Sequence, residues 1–209
     1  MDIEDIRSIY GTRTPGVIGE HRSYSVLVPF ITPEEEDGGL SLLYEVRAAG
    51  VRQPGEVCFP GGHMEEGESP EECAVRETCE ELGIKAGGIE VISQGGVLYG
   101  SGFTLHVFIG SISRDTLESI EPDPGEVSEV FTVPLDVLMD ARPEHYGEKL
   151  KPDIDPGFPY ERVGIGKDYP WRTASYDIPV YDIAGRVIWG LTARITENVI
   201  QTLKKGEKR

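Results

Sequence analysis

The sequence is short of cysteine, of positive charge and of long apolar runs, and each shortage closes a class of function. Its 209 residues include three cysteines, Cys58, Cys73 and Cys79. The number is odd and no Cys-x-x-Cys occurs. That argues against a disulfide framework or a thiolate zinc site, and predicts free thiols in a reducing compartment. Only 20 Lys and Arg stand against 37 Asp and Glu, a net charge of −17. Such a surface repels phosphate backbones and anionic bilayers, so neither nucleic acid nor a membrane is expected as a partner. A small anionic ligand is still open to it, because a local Arg cluster or a bound cation reverses the local field. The most apolar stretch, residues 26–31, is interrupted by Pro29 and falls far short of the ~20 residues that span a bilayer. The opening Met1-Asp-Ile-Glu-Asp-Ile-Arg7 mixes charges where a secretion signal is basic and then apolar, and the cytoplasm is the expected location.

What is present reads as a globular α+β chain, expected to form a single domain over 1–209. Residues 1–22 are polar and Gly-rich, an arm or short helix. Strands are expected at 23–31, 40–48, 55–59, 90–98, 103–109 and 130–133, rich in β-branched and aromatic residues. The acidic turn 34–39, with Asp37-Gly38, signals a hairpin. A helix is expected at 70–82. Ser69 is its N-cap, Pro70 stands at the first turn, Glu72 completes a capping box and Gly83 suits the left-handed position after the end. A short helix follows Pro134. The Pro-, Gly- and Tyr-rich 142–175 reads as a loop or hairpin insert, and 171–181 as a possible pair of strands. A closing helix is expected over 187–205, from Ile188, Leu191, Ile195, Val199 and Leu203 at 3–4 spacing. That stripe is core or a homodimer surface.

The helix at 70–82 carries the chemistry. At 100° per residue, Val75, Thr78, Cys79 and Leu82 share a face expected to point to the core. Glu77, Glu80 and Glu81 share an arc of about 100° opposite it, with Arg76 the one cation on the helix. Three unpaired carboxylates repel, and a divalent cation would neutralise them. Carboxylate oxygens without accompanying His or Cys favour Mg²⁺ or Mn²⁺ over zinc. The plainer alternative is a solvated acidic face.

Residues 62–84 resemble the Nudix box. That pattern has Gly, five residues, Glu, seven residues, then Arg-Glu-U-x-Glu-Glu-x-Gly-U, with U apolar. Gly62, Glu68, Arg76, Glu77, Glu80, Glu81, Gly83 and Ile84 match it, and Thr78 stands at the first U. The resemblance implies a Nudix fold, a mixed sheet between helices, with a strand–loop–helix cation site and hydrolysis of a nucleoside diphosphate linked to another group. It implies Glu77, Glu81 and Glu80 as cation ligands, with a backbone carbonyl near Gly62. It implies Glu77, Glu80 and Arg76 in the catalytic group, and Gly62, Glu68 and Gly83 as structural parts, with Glu68 and Arg76 bracing the loop. Glu126 and Glu129, on a later loop leading into a strand, are candidates for a base or extra ligand, or are simply two more solvated acids.

Residues 43–62 resemble the added signature of the coenzyme A pyrophosphatase subgroup. Arg47-Ala48, Arg52, Gly55 and Phe59-Pro60-Gly61-Gly62 match in order. Tyr44-Glu45 stands where the signature has Leu-Thr, and Arg52 is one residue closer to Gly55. Residues 124–135 and 188–194 are also similar, so the likeness runs through most of 23–205. It implies cleavage of coenzyme A, or a derivative, to 3′,5′-ADP and 4′-phosphopantetheine, with Arg47 and Arg52 as substrate-binding cations. ADP-ribose or another nucleoside-diphosphate compound is the alternative substrate. A non-catalytic module is a third reading, disfavoured because all three helix carboxylates are present. Tyr160, Tyr169 and Trp171 could line a pocket or simply pack, and His63 and His106 could be bases or ordinary polar residues. Cys73 has no assigned role.

Overall fold

The computed structural model describes residues 1–14, 16–33, 38–183 and 185–206. The chain runs through α1 (Ile3–Gly11), β1 (Arg22–Thr32), β2 (Ser41–Arg47), β3 (Val57–Cys58), β4 (Gly61–His63) and α2 (Pro70–Leu82). It continues with β5 (Ile89–Gly100), β6 (Phe103–Ser113), α3 (Arg114–Glu118), β7 (Val127–Pro134) and α4 (Leu135–Asp140). Last come β8 (Glu144–Leu150), β9 (Ala174–Ile183), β10 (Arg186–Trp189) and α5 (Gly190–Gly206).

Seven strands form one sheet. Its main path is β3-β2-β1-β6-β5, with β4 on β1 and β7 on β2. β1 and β6 are parallel over eleven register pairs, and the other pairings are antiparallel. The sheet is therefore mixed, as the resemblance implies. β1 meets β2 only at Phe30↔Leu42 and Ile31↔Ser41. Its first half pairs instead with β4, at Tyr24↔His63, Ser25↔Gly62 and Val26↔Gly61. The sheet thus splits between β1 and β2, and the split holds the Gly61-Gly62 segment. The strand expected at 55–59 stops at Pro60, and the chain re-enters the sheet one residue later as β4.

Alternation along the strands gives each sheet face its own helix. Leu27, Ile31, Leu43, Phe108 and Ile112 face α2, packing on Ala74, Leu82 and Ile84. Val28, Phe30, Leu42 and Tyr44 face the other way, packing with Ala193, Ile195, Val199 and Ile200 of α5. Tyr44 Oη shares a 3.1 Å hydrogen bond with Thr196 Oγ1.

Several expected boundaries move. The closing helix begins at Gly190, not 187. Residues 186–189 are β10, paired with β9 from Arg186↔Ile183 to Trp189↔Val180, and Gly190 (φ +65°) turns the chain from strand into helix. The single strand β9 replaces the strand pair expected at 171–181. Its residues Ala174–Val180 pair with β8 and Val180–Ile183 with β10, making a three-stranded second sheet within and beyond the expected insert. The arm contains α1, capped by Asp2, and α1 buries no residue. The acidic turn at 34–37 lies outside the described residues. Among the described residues all three cysteines are free, and no helix is long and apolar enough to cross a membrane.

Candidate active site

α2 starts and stops where its caps demand. Ser69 Oγ accepts from the Glu72 backbone N–H, and the Glu72 carboxylate accepts from the Ser69 N–H. Gly83 closes the helix at φ +66°, and its N–H donates to the Cys79 carbonyl. A side chain at Gly83 would collide with the Glu121 carbonyl oxygen. With the ends fixed, the rotation of the helix decides which acids point inward.

That rotation differs from the expected one. The buried residues are Cys73, Ala74, Thr78, Glu81 and Leu82, while Val75 and Cys79 are only half-buried. The acidic arc is real, but its edge faces the sheet. Glu81 is 4 % exposed, and its Oε2 accepts from the Gly61 N–H at 2.7 Å. Glu77 is 15 % exposed at the side chain, whereas Glu80 is 59 % exposed and lies on the rim.

Arg76 ties the arc to the preceding loop. Its Nε and Nη2 grip the two oxygens of Glu68 at 2.8 and 3.0 Å. Its Nη1 reaches Glu77 Oε1 at 2.9 Å and Glu80 Oε2 at 3.0 Å, and Nη2 also donates to the His63 carbonyl at 3.2 Å. Bidentate Arg–carboxylate pairing is directional and strong. The guanidinium beside Glu68 holds that carboxyl down to about 2. Gly62 lies directly against the Glu77 carboxylate, leaving no room for a Cβ.

A fourth acid, unassigned from sequence, lies under the helix. Glu45 of β2 is 1 % exposed and shares the α2-facing side with Leu43. Cys58 Sγ donates to its Oε1 at 3.1 Å, while Oε2 is buried with no partner among the described residues. The signal for it was an acid in the middle of 40–48, whose neighbours are apolar on both faces of the strand. Burial, followed by repulsion from Glu126 and Glu77, pushes the Glu45 carboxyl up; burial and then Glu45, Glu77 and Glu126 do the same to Glu81. Burial also raises Glu77, against the pull of Arg76. Exposed Glu126, at the entry to β7, reaches all three with its charge. Its carbonyl accepts from the Ala48 N–H at 2.8 Å, which holds it beside the end of β2.

Glu45, Glu77, Glu81 and Glu126 thus act on one another electrostatically. Among the described residues no three His, Cys, Asp or Glu side chains converge closely enough to enclose a cation. Glu77 is turned onto Arg76 and Glu81 onto Gly61 instead. The donor chemistry, carboxylate and backbone oxygen with a buried unpartnered Glu45 oxygen, fits a hard divalent cation.

A pH dependence follows. A carboxyl raised in the folded state binds its proton more tightly there than in the unfolded chain. Its contribution is therefore intact at low pH and is lost as pH rises above the ordinary carboxylate value of 4.5. In a chelator, melting temperature should fall between pH 5 and 8, and Mn²⁺ should lessen that fall. A chelated protein whose melting temperature climbs over this range would contradict the electrostatics described.

The other candidates stand as follows. Arg47 faces the α2 side near Cys58, with its Nε donating to the Arg52 carbonyl at 2.8 Å; the exposed Arg52 side chain makes no hydrogen bond among the described residues. Glu129 pairs in register with Val46, on the opposite side of the sheet from Glu45, and is ion-paired with Arg186. In the insert Phe158 meets Tyr160 and Trp171 edge-on, and Tyr169 meets Trp171 in the same way. His63 stacks edge-on against Tyr24, and His106 bonds Gln94 at 3.0 Å, with burial lowering its pKa.

This chain belongs to the Nudix family: the NUDIX domain model matches residues 21–153. Among curated relatives, Nudix hydrolase 3 of Caenorhabditis elegans is 33% identical over 144 residues, 66% of this chain and 59% of that protein. The peroxisomal coenzyme A diphosphatase NUDT7 of Mus musculus is 33% identical over 175 residues, 82% of this chain and 66% of that one. The mitochondrial coenzyme A diphosphatase NUDT8 of Mus musculus is 27% identical over 209 residues, 98% of this chain and 89% of that one. The chain therefore spans 59% and 66% of the first two relatives. A MutT/nudix family protein from Enterococcus faecalis aligns over 100% of this chain and 71% of its own, at 15% identity and a TM-score of 0.53, a likeness of fold alone.

Proposed function

We propose that the chain is a Mg²⁺- or Mn²⁺-dependent diphosphatase acting on coenzyme A or a derivative, releasing 3′,5′-ADP and 4′-phosphopantetheine or its acyl form. The observation that carries the reaction class is the inward acidic edge of α2, buried against Gly61-Gly62 with little positive charge to balance it. A pyrophosphate can approach such a surface only with counter-charge between them. When bound, the cation supplies that charge and lowers the pKa of a water.

In this reading Glu77, Glu81 and the Gly62 carbonyl hold the cation, and Glu80 on the rim supports it. Arg76 and Glu68 lock the loop between β4 and α2, so that the Gly62 carbonyl and the helix acids keep one geometry. Glu126, exposed beside the acidic edge, takes the proton from the attacking water. The water oxygen forms a bond to phosphorus, the bond from phosphorus to the bridging oxygen breaks, and that oxygen leaves with the second phosphate. Arg52, whose guanidinium makes no hydrogen bond among the described residues, and Arg47 meet the 3′-phosphate.

Support for the substrate comes from the upstream signature residues and from relatives named as coenzyme A diphosphatases over most of this chain. One observation favours a second substrate class: the ADP-sugar pyrophosphatase of Mus musculus is 37% identical over 89 residues, 39% of this chain. Comparing kcat/KM for coenzyme A, 3′-dephospho-coenzyme A and ADP-ribose separates the two. A charge-assisted contact to the 3′-phosphate should favour coenzyme A by roughly 10-fold or more over its dephospho form. Indifference to that phosphate, or preference for ADP-ribose, would remove the coenzyme A assignment and leave the diphosphatase standing.

A further inference from the structure

The three buried, unpartnered side-chain atoms among the described residues are Ser25 Oγ, Glu45 Oε2 and Trp171 Nε1. Trp171 belongs to the aromatic insert. The other two lie on the α2-facing side of the large sheet. Ser25 stands in register with Gly62, the residue pressed against Glu77. Glu45 stands on β2 one alternate position beyond Leu43, which packs on Leu82 one residue from Glu81. A buried carboxylate oxygen without a partner costs several kcal/mol unless something compensates it. Cys58 satisfies one oxygen of Glu45 and holds the carboxylate in one orientation. The second oxygen has no partner among the described residues, on the sheet side that α2 covers, and the charges of Glu77 and Glu126 bear on Glu45 as Glu45 bears on Glu81. Burying Glu45 and Glu81 beside Glu77 and the exposed Glu126 is costly; a shared divalent ion offsets it.

We infer that Glu45 is a cation ligand of this chain, offering Oε2 from the floor of the sheet opposite the ligands on α2. The inference rests on the cation-dependent reading above and extends it to a residue outside the helix. Ser25, in register with Gly62 on the same side of the sheet, would offer its unpartnered Oγ to the same site. The coenzyme A signature has Thr at position 45, so this ligand belongs to this chain rather than to the likeness that placed Arg47 and Arg52.

Direct Mn²⁺ titration, reading free Mn²⁺ by electron paramagnetic resonance, tests it on the wild type and Glu45→Gln. The variant should bind Mn²⁺ about 10-fold more weakly. In chelator it should melt no lower than the wild type, because one of the repelling charges is gone. Equal Mn²⁺ affinity in the two proteins overturns the inference and leaves the metal-dependent reading intact. A wild type that takes up no Mn²⁺ overturns both. Should Glu45→Gln not fold, the anomalous signal of Mn²⁺ in wild-type crystals decides. The ion lies within about 2.5 Å of Glu45 Oε2 if the inference holds, and out of reach if it does not.

Discussion

Replacing Glu81 with Gln is expected to stop hydrolysis and, at the same time, to make the cation-free protein harder to unfold. The two effects have one cause. Glu81 is buried at the floor of the acidic edge, where burial and Glu45 disfavour its charge. A neutral amide of the same shape can still accept from the Gly61 N–H, as Glu81 does at 2.7 Å, so the fold loses little. Removing the repulsion should add roughly 1–2 kcal/mol to stability in chelator. The amide holds a divalent cation poorly, and turnover should fall on the order of 10²–10³-fold. Glu77→Gln should lose activity similarly. Chemical denaturation in EDTA and steady-state turnover of the same preparations check both halves. A Glu81→Gln protein that is less stable in chelator would mean the carboxylate is held by partners outside the account. One that keeps turnover would remove Glu81 from the cation site.

The second large effect separates two adjacent glycines. Gly61 sits at φ +149°, and a Cβ there would overlap the Ser25 carbonyl oxygen and stand 2.6 Å from Val26 Cα. Both are backbone atoms of the central strand and cannot yield without breaking the β1–β4 pairing. Gly61→Ala should cost about 3–5 kcal/mol. At Gly62 the overlapping atoms belong to the Glu77 carboxylate, the far end of a flexible side chain. Gly62→Ala should therefore change stability by less than about 1 kcal/mol, yet displace Glu77 and lower turnover about 10²-fold. Urea melts and turnover of the two variants should fall in opposite order. If Gly62→Ala unfolds the protein as readily as Gly61→Ala, the close approach at Gly62 serves packing rather than the position of Glu77.

How much of this was legible beforehand depended on where the stabilising partner lay. The ends of α2 could be read to the residue, because Ser69, Glu72 and Gly83 act within a turn of it. The strands at 23–31, 40–48 and 103–109 announce themselves by apolar, β-branched runs. The rotation of α2 could not be read the same way. Periodicity assigns acids outward, and the group that holds Glu81 inward is a backbone N–H twenty residues earlier, on another element. Glu45 is the instructive omission: an acid inside a strand apolar on both faces is a departure from burial preference and could have been singled out. β8 was legible only as part of a loop or hairpin insert at 142–175, since all seven of its residues are exposed and no alternation marks it as a strand. Ile188 joined the helical stripe only because its distance from Leu191 imitates helical spacing, while the structural break falls between them at Gly190.

The central claim is that this acidic edge cleaves a diphosphate with the help of a divalent cation. Mass spectrometry of coenzyme A incubated with the purified protein tests it most directly, with Mn²⁺ in one arm and EDTA in the other. The account predicts 3′,5′-ADP and 4′-phosphopantetheine in equal amounts with Mn²⁺ and intact coenzyme A with EDTA. Equal turnover in both arms, or cleavage elsewhere than the pyrophosphate, would contradict it.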